Sequence, residues 1–165
     1  MVMLLDLRNI IYVPGASVEF DCELSGEGLD FPSVSSYRQM PHAHGRVFNE
    51  AGVLHLTGEV EADMICICDR CGGEFESTKI TEVDLILTVD APEDDSELFP
   101  LDGDGIDLDK VLSTCFILDM ETKFLCREDC KGLCQTCGKN LNLGPCSCRK
   151  EIDPRFAVLE QLLDK

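Results

Sequence analysis

The chain has 165 residues, which suits one domain with a small appendage. Its hydrophobic content of 44% allows a real core and excludes general disorder, and no apolar run approaches the length of a membrane span. A formal net charge of −18 disfavours tight binding to a phosphate backbone and suits a basic protein partner.

The first residues, MVMLL, have no basic flank and are soon interrupted by polar residues, so they do not resemble a secretion signal. We therefore expect a cytoplasmic protein whose thiols stay reduced. Disulfides do not persist in such a compartment, and the 11 cysteines need another explanation. Metal binding is the leading one.

Sequence patterns predict strands in the first half of the chain. Short apolar runs within residues 4–24 predict one or two strands around a turn at Pro14-Gly15, and residues 25–45, rich in Gly, Ser and Pro, predict a long loop. Residues 53–67 and 75–90 alternate in hydrophobicity and predict a long β-hairpin, to which residues 46–49 add a third strand. The inward residues of the first hairpin strand are predicted to be Leu54, Leu56, Val60, Ala62, Met64 and Cys66.

An acidic loop and two helices follow. Residues 90–109 hold nine acidic side chains and no basic one, which is typical of a solvated loop. Asp107 is a suitable N-cap for a helix whose apolar stripe is Leu108, Val111, Leu112, Cys115 and Phe116. Asp153 and Pro154 predict a second helix start, with Phe156, Leu159, Leu162 and Leu163 on one face.

These elements predict an α+β fold. Its antiparallel sheet is dominated by the long hairpin, and it also has two helices and a zinc-bound, Cys-rich C-terminal segment. The predicted division is an acidic domain of residues 1–125 and a Cys-rich segment with a helix, residues 126–165, packed on it. The charge supports that division, because residues 1–125 carry 7 basic and 26 acidic side chains, whereas residues 126–165 carry 7 and 6.

The cysteines divide by setting. Cys22, Cys66 and Cys115 fall within predicted strands and the helix stripe, so we expect them to be small core residues. Eight others are candidate metal ligands, and two tetrahedral sites need eight thiolates. These eight are Cys68, Cys71, Cys126, Cys130, Cys134, Cys137, Cys146 and Cys148.

Two C-x-x-C-G motifs carry the zinc prediction, at residues 68–72 and 134–138. Each supplies two thiolates from one tight turn, and the following Gly reaches positive φ without steric cost. One partition joins the four cysteines of residues 134–148. It pairs Cys68 and Cys71, the cysteine knuckle at the predicted hairpin tip, with Cys126 and Cys130. The rival is a single site that joins the two C-x-x-C motifs and leaves the other four thiols free. We therefore expect one or two structural Zn²⁺ per chain.

Closed tetrathiolate sites leave no open position for substrate, so we expect no catalytic residue, no other cofactor and no small-molecule substrate. Redox C-x-x-C motifs usually begin a helix, whereas this one is predicted at a hairpin tip. The histidines His42, His44 and His55 have no motif linking them to a nucleophile, and the first two are predicted in the loop. Basic residues between 127 and 150 either offset the charge of the sites or give a small surface for direct RNA contact.

The string LCREDCKGLCQTCGKNLN at residues 125–142, followed by CSC at 146–148 and DPRFAVL at 153–159, is distinctive. It resembles the YceD family, the large ribosomal RNA subunit accumulation proteins. The first C-x-x-C-G knuckle after a long alternating strand is similar to that family too, as is the acidic loop before the helix start at residues 106–109. The resemblance covers roughly residues 50–165 and is weak over the first 50.

The resemblance implies a ribosome-biogenesis factor that supports accumulation or processing of large-subunit ribosomal RNA, not an enzyme. Because ribosomal proteins are basic, the acidic residues 1–125 suggest that a ribosomal protein or pre-ribosomal particle is the partner. The alternative is a zinc-ribbon adaptor that binds other proteins and has no connection with ribosomes. No membrane partner is expected.

Overall fold

The computed structural model describes residues 3–88 and 98–148. Eight strands, one α-helix and one 3-10 turn occupy these residues. The strands are β1 Leu4–Asp6, β2 Ser17–Glu23, β3 Val34–Tyr37, β4 His42–Glu50, β5 Val53–Ile67, β6 Glu74–Thr88, β7 Leu98–Pro100 and β8 Gly105–Asp107; α1 is Leu108–Leu118 and the 3-10 turn is Leu141–Leu143.

Six strands form one mixed sheet. Its order is β2-β4-β5-β6-β7, and β3 pairs with the far half of β5. All these pairings are antiparallel except β6 with β7, which is parallel. β1 and β8 make a separate two-stranded antiparallel sheet that leads directly into α1.

The β5–β6 hairpin is the longest element, with 15 residues in each strand. Its predicted inward face is confirmed, since all six named residues of β5 are at most 5% exposed. Because the side-chain period of a strand is 2, this register leaves the acidic residues of both strands in solvent. The predicted third strand is also present, as β4, with longer bounds than expected.

The predicted helix is confirmed as α1. Asp107 caps it, and its carboxylate accepts the N–H of Lys110. Leu108, Val111, Leu112 and Phe116 of the predicted stripe are buried, and Cys115 packs against the same core while partly exposed. The ring of Phe31 meets Phe116 edge to face, with centroids 6.3 Å apart.

Residues 25–45 are more ordered than the sequence predicted. The segment contains β3 and the start of β4, so the prediction of a long loop is wrong for those parts. β3 exists because it pairs with β5, for example Ser36 with Ile65, and because the Tyr37 hydroxyl donates to the Leu29 carbonyl at 2.9 Å. His42 and His44 also lie on a strand and not in a loop, because β4 pairs with β5.

Strands do flank Pro14-Gly15, as predicted, but they do not pair with each other. β1 pairs with β8 and β2 with β4, so residues 7–16 connect two sheets. In the described residues the protein is mostly β, with one α-helix. The predicted α+β class is therefore confirmed only in part. The parallel β7 also makes the sheet mixed. The second predicted helix, at residues 153–163, lies outside the described residues.

Two glycines allow a close approach in the middle of the sheet. Gly45 on β4 pairs with Gly58 on β5. A Cβ on Gly58 would lie 2.4 Å from the His44 carbonyl oxygen and 3.1 Å from Phe20 Cζ, so the ring of Phe20 occupies the space that two side chains would need. No helix among the described residues is long and apolar enough to cross a membrane.

Candidate metal centres

The structure brings the eight candidate cysteines together in two groups. Cys68, Cys71, Cys126 and Cys130 form what we call the inner cluster, and Cys134, Cys137, Cys146 and Cys148 form the outer cluster. Within each, the sulfur atoms all lie within 4.8 Å of one another. This is the first predicted partition, and the rival grouping of the two C-x-x-C motifs around one centre does not occur.

The spacing of the inner sulfur atoms fits a tetrahedral metal. Cys68 Sγ lies 3.8 Å from Cys130 Sγ, and Cys71 Sγ lies 3.8 Å from Cys126 Sγ. A tetrahedron with Zn–S bonds of about 2.3 Å has edges of about 3.8 Å. A disulfide would require about 2.05 Å. The described cysteines are all free thiols, so the donor set suits a soft divalent ion.

Both C-x-x-C motifs fold into the same turn. The N–H of Cys68 donates to the Gly73 carbonyl at 2.9 Å, and the N–H of Gly72 donates to the Cys68 carbonyl at 2.8 Å. The outer motif repeats this pattern at Cys134, with the same two distances. The glycine after the second cysteine has φ of +66° in one and +70° in the other, as the sequence predicted.

Backbone N–H groups within these turns point at the sulfur atoms. Burial raises the pKa of the Cys68 thiol, but N–H groups of residues 126, 71 and 70 outweigh it and lower the pKa to about 6. The N–H groups of Cys137 and Thr136 likewise lower the pKa of Cys134 to about 6. The first cysteine of each knuckle is therefore prepared to be a thiolate, which is the form that binds metal.

One other thiol in each cluster has a raised pKa and stays protonated. Burial and hydrogen bonds to neighbouring sulfur atoms raise the pKa of Cys126 to about 12. A hydrogen bond to Cys137 raises the pKa of Cys148 to about 12. Without metal, each cluster thus holds its negative charge on part of its sulfur atoms, and metal binding would release the remaining protons.

Asp69 and Arg70, inside the first knuckle, hold the C-terminal segment. The Arg70 guanidinium donates to the carbonyl of Glu128 at 3.2 Å and to that of Cys130 at 3.0 Å. The Asp69 carboxylate accepts the Phe124 N–H and the Ser33 hydroxyl. The inner cluster therefore joins the hairpin tip to residues 124–130, as the predicted partition required. Sequence reasoning missed both of these anchoring roles.

Asn142, in the 3-10 turn of the outer loop, reaches the inner cluster. Its Nδ2 donates to Cys130 Sγ at 3.3 Å, and its Oδ1 accepts the N–H of Lys131 at 2.8 Å. The hydrogen bond from Asn142 is the largest cause of the lowered pKa of Cys130. Sequence reasoning missed this contact.

The two clusters differ in exposure. Three inner cysteines are at most 9% exposed, whereas Cys137 of the outer cluster is exposed and its three companions are partly exposed. The inner cluster packs against Phe75 and Leu125, at the end of the hairpin. An ion in the inner cluster would therefore exchange with solvent less readily than one in the outer cluster.

The other three cysteines have the predicted setting. Cys22 and Cys66 are buried in the main core, Cys115 packs against it, and burial raises the pKa of all three thiols. None of them belongs to a group of potential ligands among the described residues. The histidines lie on the sheet: His42 contacts Asp21, and His55 stacks on Phe48.

Four thiolates around a divalent ion carry a formal charge of −2, so nearby cations matter. Arg127 lies 3.6 Å from Asp129, and Lys139 Nζ donates to the Pro145 carbonyl at 2.8 Å. Both basic side chains are thereby held near the clusters. Arg149 and Lys150, which the sequence also placed there, lie outside the described residues.

The comparisons agree with the resemblance. The model of the family described as "Large ribosomal RNA subunit accumulation protein YceD" matches residues 56–163. An uncharacterized protein of Mycobacterium tuberculosis is 31% identical over 117 residues, covering 68% of this chain and 56% of its own length. No solved structure gives a significant match.

Two plant relatives carry the family name, "Large ribosomal RNA subunit accumulation protein YCED homolog 1, chloroplastic". The one from Zea mays is 38% identical over 136 residues (62% of this chain, 46% of the relative), and the one from Arabidopsis thaliana is 27% identical over 144 residues (68% and 45%). This chain thus spans about half the length of these curated relatives. It belongs to the YceD family of large ribosomal RNA subunit accumulation proteins.

Proposed function

We propose that this protein is a ribosome-biogenesis factor that binds a basic ribosomal protein, free or within a pre-ribosomal particle, and so supports accumulation of large-subunit ribosomal RNA. Family membership supports the ribosomal part, because two relatives carry that description in their names. The acidic open face of the sheet is the observation that carries the choice of partner. Such a role would be cytoplasmic.

The open face is the side of β2, β4, β5 and β6 whose side chains are exposed. Strand register aligns these side chains in rows across the sheet, so their charges act together. One row is Glu19, Arg46, Thr57 and Asp84; the next is Asp21, His44, Glu59 and Glu82; the third is Glu23, His42, Glu61 and Ile80.

The negative charge of this face is not balanced internally. Glu59 stands directly opposite Glu82, and both are exposed, which is an unfavourable cross-strand pair. Arg46 lies over the Phe48 ring, 4.9 Å from its centroid. Among the described ion pairs, the open face contributes those of His42 with Asp21 and of Arg38 with Glu76, and neither pair includes Glu59, Glu82 or Asp84. A cationic partner would remove this repulsion, whereas a nucleic acid would increase it.

Zinc in both clusters would hold the tail against the hairpin tip and leave no coordination position for water or substrate. We therefore propose a structural role for two Zn²⁺ ions and no enzymatic activity. Arg127, Lys131 and Lys139 offer a second surface, through which residues 127–150 would touch RNA of the particle. Two of these three are already engaged within the tail, so the sheet face is the stronger candidate for the main contact.

The test uses charge-neutral variants of the full chain. Glu59→Gln, Glu82→Gln and Asp84→Asn combined remove three charges from the open face. Glu27→Gln, Asp30→Asn and Glu128→Gln remove three exposed charges elsewhere and serve as the control. We expect capture of ribosomal proteins from cell extract at moderate salt to fall at least tenfold for the first variant and to stay near wild type for the second.

Depletion of the protein is expected to lower large-subunit ribosomal RNA relative to small-subunit RNA. The control variant should restore it and the open-face variant should not. Capture of naked RNA without any ribosomal protein would overturn the proposed partner. Unchanged ribosomal RNA after depletion would favour the alternative, a zinc-ribbon adaptor that serves proteins unrelated to ribosomes.

A further inference from the structure

Asn142 lies in the loop of the outer cluster, but its side chain contacts a cysteine of the inner cluster. The residue lies between Cys137 and Cys146, in the loop that the outer cluster closes. Its amide group reaches back to residues 130 and 131, with the donor facing sulfur and the acceptor facing an N–H group. The Lys131 N–H requires an oxygen there, so the orientation of the amide is fixed.

The outer loop depends on further contacts to hold Asn142 in place. Asn140 Oδ1 accepts the N–H of Asn142 at 2.9 Å, and the N–H of Leu141 donates to the Gly132 carbonyl at 2.9 Å. Leu133 also pairs with Asn140 as an isolated bridge. These contacts make a small ladder between residues 131–133 and 140–142. Closing the outer cluster would fix both ends of this loop.

The sulfur atom that Asn142 contacts, Cys130 Sγ, is buried and has few other described hydrogen-bond donors. Cys130 is 4% exposed, so water can offer its thiolate little compensation. Its other described N–H donor is the backbone of Gly132. Among the described hydrogen bonds to sulfur, that of Asn142 is the only one from a side-chain nitrogen. Hydrogen bonds to a ligand from outside the coordination sphere typically change metal affinity 10–100-fold.

We propose that Asn142 couples the two clusters, so that a metal ion in the outer cluster strengthens metal binding by the inner one. This inference rests on the proposed binding of metal by both clusters and goes beyond it. An ordered outer loop presents the Asn142 donor to Cys130, whereas an open loop leaves the buried thiolate with one donor fewer. By linkage, a filled inner cluster strengthens the outer one by the same factor.

The experiment follows hydrogen exchange at residues 66–74 in the full chain while free Zn²⁺ is set by a chelating buffer. The Zn²⁺ concentration that gives half protection of the hairpin tip measures the affinity of the inner cluster. Four chains form a cycle: wild type, Asn142→Asp, Cys137→Ser with Cys148→Ser, and the combination. Asn142→Asp retains the acceptor for Lys131 and removes the donor to Cys130.

We expect Asn142→Asp alone, and the two cysteine substitutions without it, each to raise the Zn²⁺ concentration at half protection 10–100-fold. The combination should raise it no further than the larger of the two, because both changes remove the same hydrogen bond. Asn140→Asp introduces the same charge two residues away and retains the acceptor for the Asn142 N–H. That control should stay within about threefold of wild type, because it keeps the donor to Cys130 and a partly exposed charge contributes little.

Asn142→Ala, which adds no charge, should reproduce the effect of Asn142→Asp in direction. Multiplied effects in the combined chain would overturn the coupling, as would Asn142 variants that match wild type. Those results would leave zinc binding itself intact, because protection would still depend on Zn²⁺. Protection that is independent of Zn²⁺ in wild type, with no zinc bound, would overturn both the metal sites and the coupling.

Discussion

Asp69 and Phe124 are joined by a reciprocal contact across the base of the inner cluster. The N–H of Phe124 donates to the Asp69 carboxylate at 2.6 Å, and the N–H of Asp69 donates to the Phe124 carbonyl at 2.9 Å. Asp69, which lies between the candidate ligands Cys68 and Cys71, thus fixes the chain two residues before Cys126. The hairpin half and the tail half of the inner cluster are thereby aligned by contacts other than the cluster's own.

Replacement of Asp69 by alanine should loosen that alignment. The Phe124 N–H and the Ser33 hydroxyl would each lose their acceptor. We expect faster hydrogen exchange at residues 66–74 and 124–130 and about tenfold weaker Zn²⁺ binding by the inner cluster. Glu61→Ala, on the exposed face of β5, is the control and should change neither. Unchanged exchange in Asp69→Ala would mean that the thiols and Arg70 hold the hairpin tip and residues 124–130 together without Asp69.

Metal content should follow the two clusters. Natively purified wild type is expected to contain about two zinc ions per chain, and Cys71→Ser and Cys137→Ser about one each. Cys71→Ser should speed hydrogen exchange at both the hairpin tip and residues 124–130. Cys137→Ser should do so mainly within residues 134–148 when Zn²⁺ is saturating, because the inner cluster can then still fill.

The core cysteines provide the control for metal content. Cys66→Ala removes a thiol that lies two residues from the inner cluster and is fully buried in the main core. It should retain about two zinc ions while losing some stability, since a large-to-small change in the core leaves a small cavity. One zinc ion in wild type would contradict the two-cluster arrangement. Loss of zinc in Cys66→Ala would contradict its assignment to the core.

The sequence predicted most where the signal is local. Alternation in β5 needs only the strand itself, and a C-x-x-C-G turn contains its own ligands and its own glycine. Local spacing also favoured one partition of the cysteines, because the outer four lie within 15 residues and leave the others to the hairpin, but the single-site rival stayed open. The structure places all eight as the favoured partition required.

What could not be predicted depends on distant partners. β3 is a short polar strand, Val34–Tyr37, and it is stabilised by pairing with residues 64–66 of β5. β1 pairs with β8, about a hundred residues away, and β7 runs parallel to β6. The donor from Asn142 to Cys130 depends on how the outer loop folds back, which spacing alone does not fix.

Repulsion between Glu59 and Glu82 should lower the free energy of unfolding, while their charges favour binding of the basic partner. They stand directly opposite on β5 and β6, so Glu59→Gln or Glu82→Gln is expected to raise the free energy of unfolding by about 0.2–1 kcal/mol. The same changes should weaken capture of the basic partner. Chemical denaturation at low salt measures the first effect, and high salt should reduce it by screening.

Glu61→Gln is the matched control for this pair. Glu61 lies two residues along β5 and is also exposed, but it faces Ile80 instead of a carboxylate. Its neutralisation should leave stability nearly unchanged. In the double variant Glu59→Gln with Glu82→Gln, the second change should add little, because the first already removes the repulsion. Additive gains would mean that the net charge of the chain, and not this pair, is responsible.

The pair of Lys79 and Asp119 should give stability a defined pH dependence. Lys79 Nζ lies 2.8 Å from the Asp119 carboxylate, which also accepts the Thr81 hydroxyl and ends α1 against β6. The hydrogen bond from Lys79 holds the pKa of Asp119 below its usual value. Burial lowers the pKa of Lys79, but Asp119 and Glu121 together raise it above its usual value.

The sign of each effect follows from these directions. A lowered carboxyl pKa contributes stability above the unfolded value of about 3.9, and that contribution is lost as pH falls through the folded pKa. A raised lysine pKa contributes below about 10.4 and is lost as pH rises through the folded pKa. The pair should therefore stabilise the fold between about pH 4 and pH 10.

Asp119→Asn removes the charge and keeps an acceptor for Thr81. Since the Asp119 side chain is 51% exposed, we expect a loss below about 1 kcal/mol near pH 7. The difference from wild type should begin to shrink below about pH 4 and should vanish as pH falls through the lowered pKa of Asp119, where the folded wild-type carboxyl is neutral as well. Asp30→Asn, at an exposed site with no described ion pair, should show no such profile. A difference that stays constant from pH 3 to pH 8 would assign the loss to packing at the end of α1 and not to charge.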